Sequence, residues 1–237
     1  MTAMEMDFDA LLDRVLAAVD RKAFVTPIAG IDDPDEVALL EPIFASLGAE
    51  QPDIGALRTR VRALADDGLL TARRAVILLQ TLAAHPASED LAEMARLIGE
   101  EEHLVLTEGG PRQAARLAVV DHHRGVHAFL LGRYEHALEL ETRSAAARPW
   151  GDSLANILII LLRLDQEPRA RTMLAQIRRR FPLDLVRQVE RYIKQDPDLA
   201  LLRDELAGGG HERAIPDGPD PALDPDPEDE PCDPILH

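Results

Sequence analysis

Apolar positions recur along this chain three and four residues apart, the spacing that lines one face of an α-helix. In residues 7–21, Phe8, Leu11, Leu12, Val15, Leu16 and Val19 form such a stripe, with Asp13, Arg14 and Asp20 on the other side. A packing helix is predicted there. Asp32, Asp33, Pro34, Asp35 and Glu36 then gather acids and a proline at one point, as a helix start does, and the helix they open runs through Leu47 to Gly48. A helix pair follows at 53–65, closed by Asp66, Asp67 and Gly68, and from Leu69 or Thr71 to Ala84, closed before His85 and Pro86. Ser88 reads as the cap of the next helix, which carries Leu91, Met94, Ala95, Leu97 and Ile98 and runs into Glu100, Glu101 and Glu102. That acidic triplet reads as a solvated face. Residues 107–111, with Gly109 and Gly110, predict a break, after which helices are expected at 112–131, 133–147, 151–164, 167–180 and 183–194, with a short one at 197–206.

Two landmarks in this second half recur at one interval. Shifting Ala137 and Pro149 by 33 residues lands on Ala170 and Pro182. Gly125 stands midway along the first helix of the unit, Gly132 and Tyr134 at its turn, Ala137 at the helix crossing and Pro149 at its end. A helix, turn and helix of this length, with those residues in those places, resembles a tetratricopeptide repeat. The second unit keeps size and apolarity rather than identity, with Leu154, Ile157, Leu158 and Leu161 in the first helix, then Ala170, Leu174 and Pro182. The first unit departs from the pattern at Asp121, Arg124, Ala128 and Glu141, where larger apolar or aromatic residues are the rule.

The resemblance implies an all-α fold, a superhelical stack of hairpins over residues 112–206 whose last helices seal the exposed end. Residues 1–106 form a helical region, either degenerate repeats or a bundle, and 208–237 a tail. In such arrays the first helices of successive units line a concave groove that takes a partner's peptide or helix. The groove residues so implied are His123, Val126, Phe129 and Leu130 in one unit and Asn156, Ile160 and Arg163 in the next. Asn156 resembles an asparagine that bonds the ligand backbone in several members of the family; as a residue in its own right it reads equally as a buried polar group satisfied within the helix pair. The implied function is a non-catalytic adaptor or scaffold for another protein. The alternative is a small tetratricopeptide chaperone or assembly factor, similar to those of bacterial secretion systems.

Composition narrows the remaining classes. Aromatic residues make up only 3% of the chain, while alanine and leucine dominate the apolar set, which suits closely packed helices. The net charge of −17 argues against a nucleic-acid partner, because phosphate binding needs a concentrated basic surface. Residues 208–237 hold nine acids against Arg213 alone, together with seven prolines, a composition expected to stay disordered. By contrast, residues 163–203 hold ten basic and six acidic side chains, an acceptor for an acidic partner or for the tail, or simply cations suited to helix C-termini. The acidic N-terminus, and a longest apolar run of nine residues from Leu154 to Leu162 that includes Asn156, fit neither a signal peptide nor a membrane span. With Cys232 as the only cysteine, no disulfide closes within the chain, and a reducing cytoplasm is expected. His122, His123 and His127 are the one cluster resembling metal ligands, with His123 and His127 four apart. Arg124 stands where a zinc hydrolase has glutamate and no third ligand is evident, so a metal-dependent enzyme or sensor is the weakest reading and no cofactor is expected.

Overall fold

A computed structural model describes residues 34–47, 50–88 and 90–208. The expected helix at 7–21, Asp32, Asp33, Gly48 and the tail beyond 208 lie outside the described residues. Within them the regular structure is all α: α1 (Pro34–Leu47), α2 (Ile54–Asp66), α3 (Ala72–Ala84), α4 (Leu91–Glu108), α5 (Gln113–Leu130), α6 (Tyr134–Ala147), α7 (Gly151–Arg163), α8 (Glu167–Arg180), α9 (Leu183–Gln195), a 3₁₀ turn (Pro197–Leu202) and α10 (Arg203–Gly208). No helix among the described residues is long and apolar enough to cross a membrane.

Local chemistry sets the starts. The Asp53 carboxylate accepts from the Ala56 amide, and the Thr71 hydroxyl accepts from the Arg74 amide. At α4 the cap is Asp90, which accepts from the Glu93 amide, and not Ser88; the Ser88 hydroxyl instead takes the Arg58 guanidinium at 2.9 Å. The expected break at 107 also comes late, since α4 continues to Glu108 and ends only where Gly109 and Gly110 adopt positive φ. At the far end, residues 197–206 form two short pieces, because Pro197 and the Asp196 side chain start a tight 3₁₀ turn before α10.

Three-residue connections turn α6 back on α5, α7 on α6 and α8 on α7. The turns after α5 and α7 are the same structure. At the first, Gly132 (φ 70°) donates to the Phe129 carbonyl and Arg133 to Ala128; at the second, Asp165 (φ 57°) donates to Leu162 and Gln166 to Leu161. They lie 33 residues apart, the interval that also separates Ala137 from Ala170, and both alanines are fully buried at their crossings.

Burial divides into two cores that meet on α5. The first gathers α1 to α4 and continues across the glycine break onto Leu117, Val120 and Val126 of α5. The second begins at Ala128 and runs through α6, α7, α8 and α9 to Leu199 and Leu202, so the 3₁₀ turn closes this end of the stack. Between the two cores, the middle of α5 presents polar side chains inward.

A buried histidine and glutamate cluster beside a cationic pocket

Glu101 and Glu141 are both fully buried, which costs a carboxylate free energy unless hydrogen bonds and opposite charges offset it; Glu101 Oε1 makes no hydrogen bond and has only the Arg73 guanidinium nearby. Helix phase puts them there. Leu97, Glu101 and Val105 are spaced by four on one face of α4, so Glu101 follows the apolar stripe inward while Glu100 and Glu102 do not. The acidic triplet is therefore not uniformly a solvated face. Glu141 shares the inner face of α6 with Ala137, Leu138 and Ala145.

Each glutamate is held by a histidine from α5. His123 Nδ1 lies 2.7 Å from Glu101 Oε2, which also accepts from Gln80 Nε2 at 3.0 Å, while Arg73 Nη2 stands 3.6 Å from Oε1. His122 Nδ1 lies 2.9 Å from Glu141 Oε2, and Asn156 Nδ2 donates to Oε1 at 2.9 Å. The two imidazoles are 5.6 Å apart, and the Trp150 ring stands edge-on to His122 at 5.3 Å, with the Arg148 guanidinium 5.9 Å from its own centroid.

These side chains back a pocket of about 440 Å³. Alternate helices supply most of its wall: Arg73, Arg74 and Ile77 from α3, Arg116, Val119 and both histidines from α5, Asp152 at the start of α7 with Trp150 just before it, and Gln188 from α9, with Glu108 at the end of α4 and Arg148 after α6. Gly151 lets α7 begin hard against α9, for a Cβ there would stand 2.7 Å from Gln188 Oε1. Four arginines, Arg73, Arg74, Arg116 and Arg148, face two carboxylates, Glu108 and Asp152, each already engaged by Arg116 and by the Tyr192 hydroxyl respectively.

Burial works against the charged His122 ring, but the adjacent Glu141 carboxylate, its hydrogen bond and the more distant Asp152 and Glu101 outweigh it and hold the pKa above the ordinary imidazole value. For Glu101, burial favours the neutral acid, but the His123 hydrogen bond and charge, with Gln80 and Arg73, prevail and keep its pKa below the usual carboxylate range. Linkage gives the signs. The His122 contribution to stability is complete below the unfolded imidazole pKa of about 6.5 and is lost as pH rises through the raised native value; the Glu101 contribution is complete above about 4.3 and is lost as pH falls through the lowered one. Thermal stability is thus expected to peak between those limits, and in a pH series of melting temperatures His122→Gln should flatten the alkaline limb while leaving the acid limb. An unchanged alkaline limb would contradict this assignment.

Of the groove residues implied by the resemblance, His123 lines the pocket and Asn156 stands at the cluster behind it, its amide nitrogen already given to Glu141. Val126 packs on the first core, Phe129 packs on the second with its ring 5.3 Å from Tyr134, and Leu130 is exposed. Ile160 is a core residue at 1% exposure and has no surface to offer a partner; Arg163 binds Asp198. His127 donates from Nε2 to the Leu91 carbonyl at 3.0 Å, away from the His123–Glu101 bond, and among the described residues no three His, Cys, Asp or Glu side chains converge as metal ligands. The basic stretch 163–203 is largely engaged internally, Arg171 by Glu167 and Glu205, Arg178 by Glu190, and Arg203 by the Ile193 carbonyl.

The pocket's arginines and the two glutamates were not visible as a site in the sequence. The available signals were Glu101 and Glu141 standing at apolar phases of their helices and the lone tryptophan following Arg148 and Pro149. Comparison with protein-family models, with curated proteins and with solved structures finds no match.

Proposed function

We propose that the chain is a non-catalytic interaction module, an adaptor that holds a peptide or helix of a partner protein against the concavity formed by α3, α5, α7 and α9. The observation that carries this reading is that alternate helices of the stack, rather than one hairpin, share the wall of a single hollow. Stacked hairpins present extended binding surfaces in this way. The recurrence of the turn at Gly132 and Asp165, with buried Ala137 and Ala170 five residues further on, supports the tetratricopeptide resemblance from which a partner-binding groove was expected. Cytoplasmic location belongs to the same proposal.

A second feature favours binding over a purely structural role. The positions 33 residues after His122 and Glu141 are Ala155 and Leu174, both buried in the second core. The first hairpin thus places a bonded polar pair where its successor has ordinary apolar packing, a departure that functional sites commonly make at the expense of stability.

Photo-crosslinking from the full chain tests the proposal. A crosslinking residue at Ile77 or Val119, inside the hollow, is expected to capture one common partner in source cells, and one at Glu139, exposed on α6, is not. That partner, identified and purified, should bind Trp150→Ala about tenfold or more weakly, as loss of a buried aromatic anchor does. A partner captured equally from Glu139, and indifferent to Trp150, would place binding on another face.

A further inference from the structure

From the polar lining of the same hollow we infer a ligand beyond the partner polypeptide: a small organic anion, bound through a phosphate or carboxylate group between Arg73, Arg116 and Arg148. Three observations carry it. In a chain of net charge −17, four arginines line one pocket with Glu108 and Asp152, beside two histidines whose partners Glu101 and Glu141 lie buried behind it. The Arg73 side chain is 13% exposed, and its Nε and Nη2 are buried without a hydrogen bond, Glu101 Oε1 lying 3.6 Å from Nη2. A buried guanidinium whose Nε and Nη2 make no hydrogen bond is costly, and an anion in the adjoining space would offset its charge. Finally, a volume of about 440 Å³ falls within the range of metabolite-sized sites.

Electrostatics points the same way. Burial disfavours the charge on Arg73, which Glu101 only partly restores while Arg116 and Arg74 repel it, and burial with the nearby Arg112 does the same to Arg148. An anion between them relieves each of these penalties. The N-terminal turns of α3 and α7 border the pocket at Thr71 and Trp150, adding the favourable end of two helix dipoles. Trp150 offers an apolar face to the organic part of the ligand.

Trp150 is the only tryptophan in the chain and therefore reports on the pocket directly. Its fluorescence in the full-length protein would be followed during titration with inorganic phosphate, with citrate and with a hexa-aspartate peptide, at constant ionic strength maintained with chloride. A saturable change with phosphate or citrate at a dissociation constant of about 1 mM or tighter is expected, the better of the two naming the acid class. Arg73→Gln and, independently, Arg148→Gln should each weaken that binding by about ten- to a hundredfold, as expected for a charge-assisted contact, and should abolish the ligand-induced rise in melting temperature. Arg148→Gln covers the case in which Arg73→Gln disturbs folding. No saturable response to phosphate or citrate, unchanged affinity in both variants, or binding of the peptide alone would overturn the small-anion assignment. The crosslinking result above stands or falls separately, because it does not depend on charge in the pocket.

Discussion

Glu101→Ala is expected to lower the free energy of unfolding by about 3 to 5 kcal/mol, the range for removing one partner of a buried ionic group. Glu101 has no exposed side-chain surface and anchors Arg73, Gln80 and His123 from two different helices. Its loss would strand all three in the junction of the two cores. Arg73 would suffer most, since two of its nitrogens already lack hydrogen bonds and Glu101 is the ion-pair partner that offsets its burial. Glu101→Gln keeps the shape and one acceptor, so its cost should be smaller, which separates charge from packing. Urea unfolding reads the result as a fall in midpoint with unchanged slope. A loss below about 1 kcal/mol for the alanine variant would show that Glu101 contributes no more than one ordinary hydrogen bond.

The helices were legible because each carries its own signal. The turn from α7 to α8 and both ends of α8 followed from local residues, with a stripe of leucines and isoleucines before the turn and proline in the first turn after it. The boundary of α4 was less legible, because the glycine pair was read as the centre of a break when it is the place where an already long helix stops. Charge misled in a more instructive way. Glu101 sits in a run of three glutamates, and reading the run as one unit hid the helical phase that carries the middle residue inward. The pocket arginines were out of reach for another reason: Arg73, Arg116 and Arg148 come from distant parts of the chain and meet only through the stacking of alternate helices. The contiguous basic stretch at 163–203 was conspicuous in sequence, yet in the fold its neighbours Asp198, Glu190 and Glu205 take up much of that charge. His123 and Asn156 were reached through the 33-residue shift, and both stand at the polar cluster, although the glutamates that bond them lie on neighbouring helices and leave no periodic trace.

Gly125→Val should be nearly as damaging, at about 3 kcal/mol, the upper end of the overpacking range. A Cβ at Gly125 would stand 2.8 Å from Glu141 Cγ and 2.9 Å from Oε1, closer than non-bonded atoms allow. The neighbour cannot swing aside cheaply, because one carboxylate oxygen is held by His122 and the other by Asn156. Relief of the clash must therefore come from breaking those bonds in a buried setting or from parting α5 and α6, whose approach is also fixed by the Ser144 hydroxyl on the Ala118 carbonyl at 2.7 Å. Glycine inside a helix ordinarily costs about 1 kcal/mol relative to alanine, so its use here is consistent with the space that Glu141 occupies. A double-mutant cycle makes the point testable. In a Glu141→Ala background, Gly125→Ala is expected to be neutral or to stabilise by up to about 1 kcal/mol, whereas in the wild-type chain it should destabilise. Equal costs in the two backgrounds would mean that the glycine answers to some contact other than the glutamate, and the close crossing of α5 and α6 would then need a different cause.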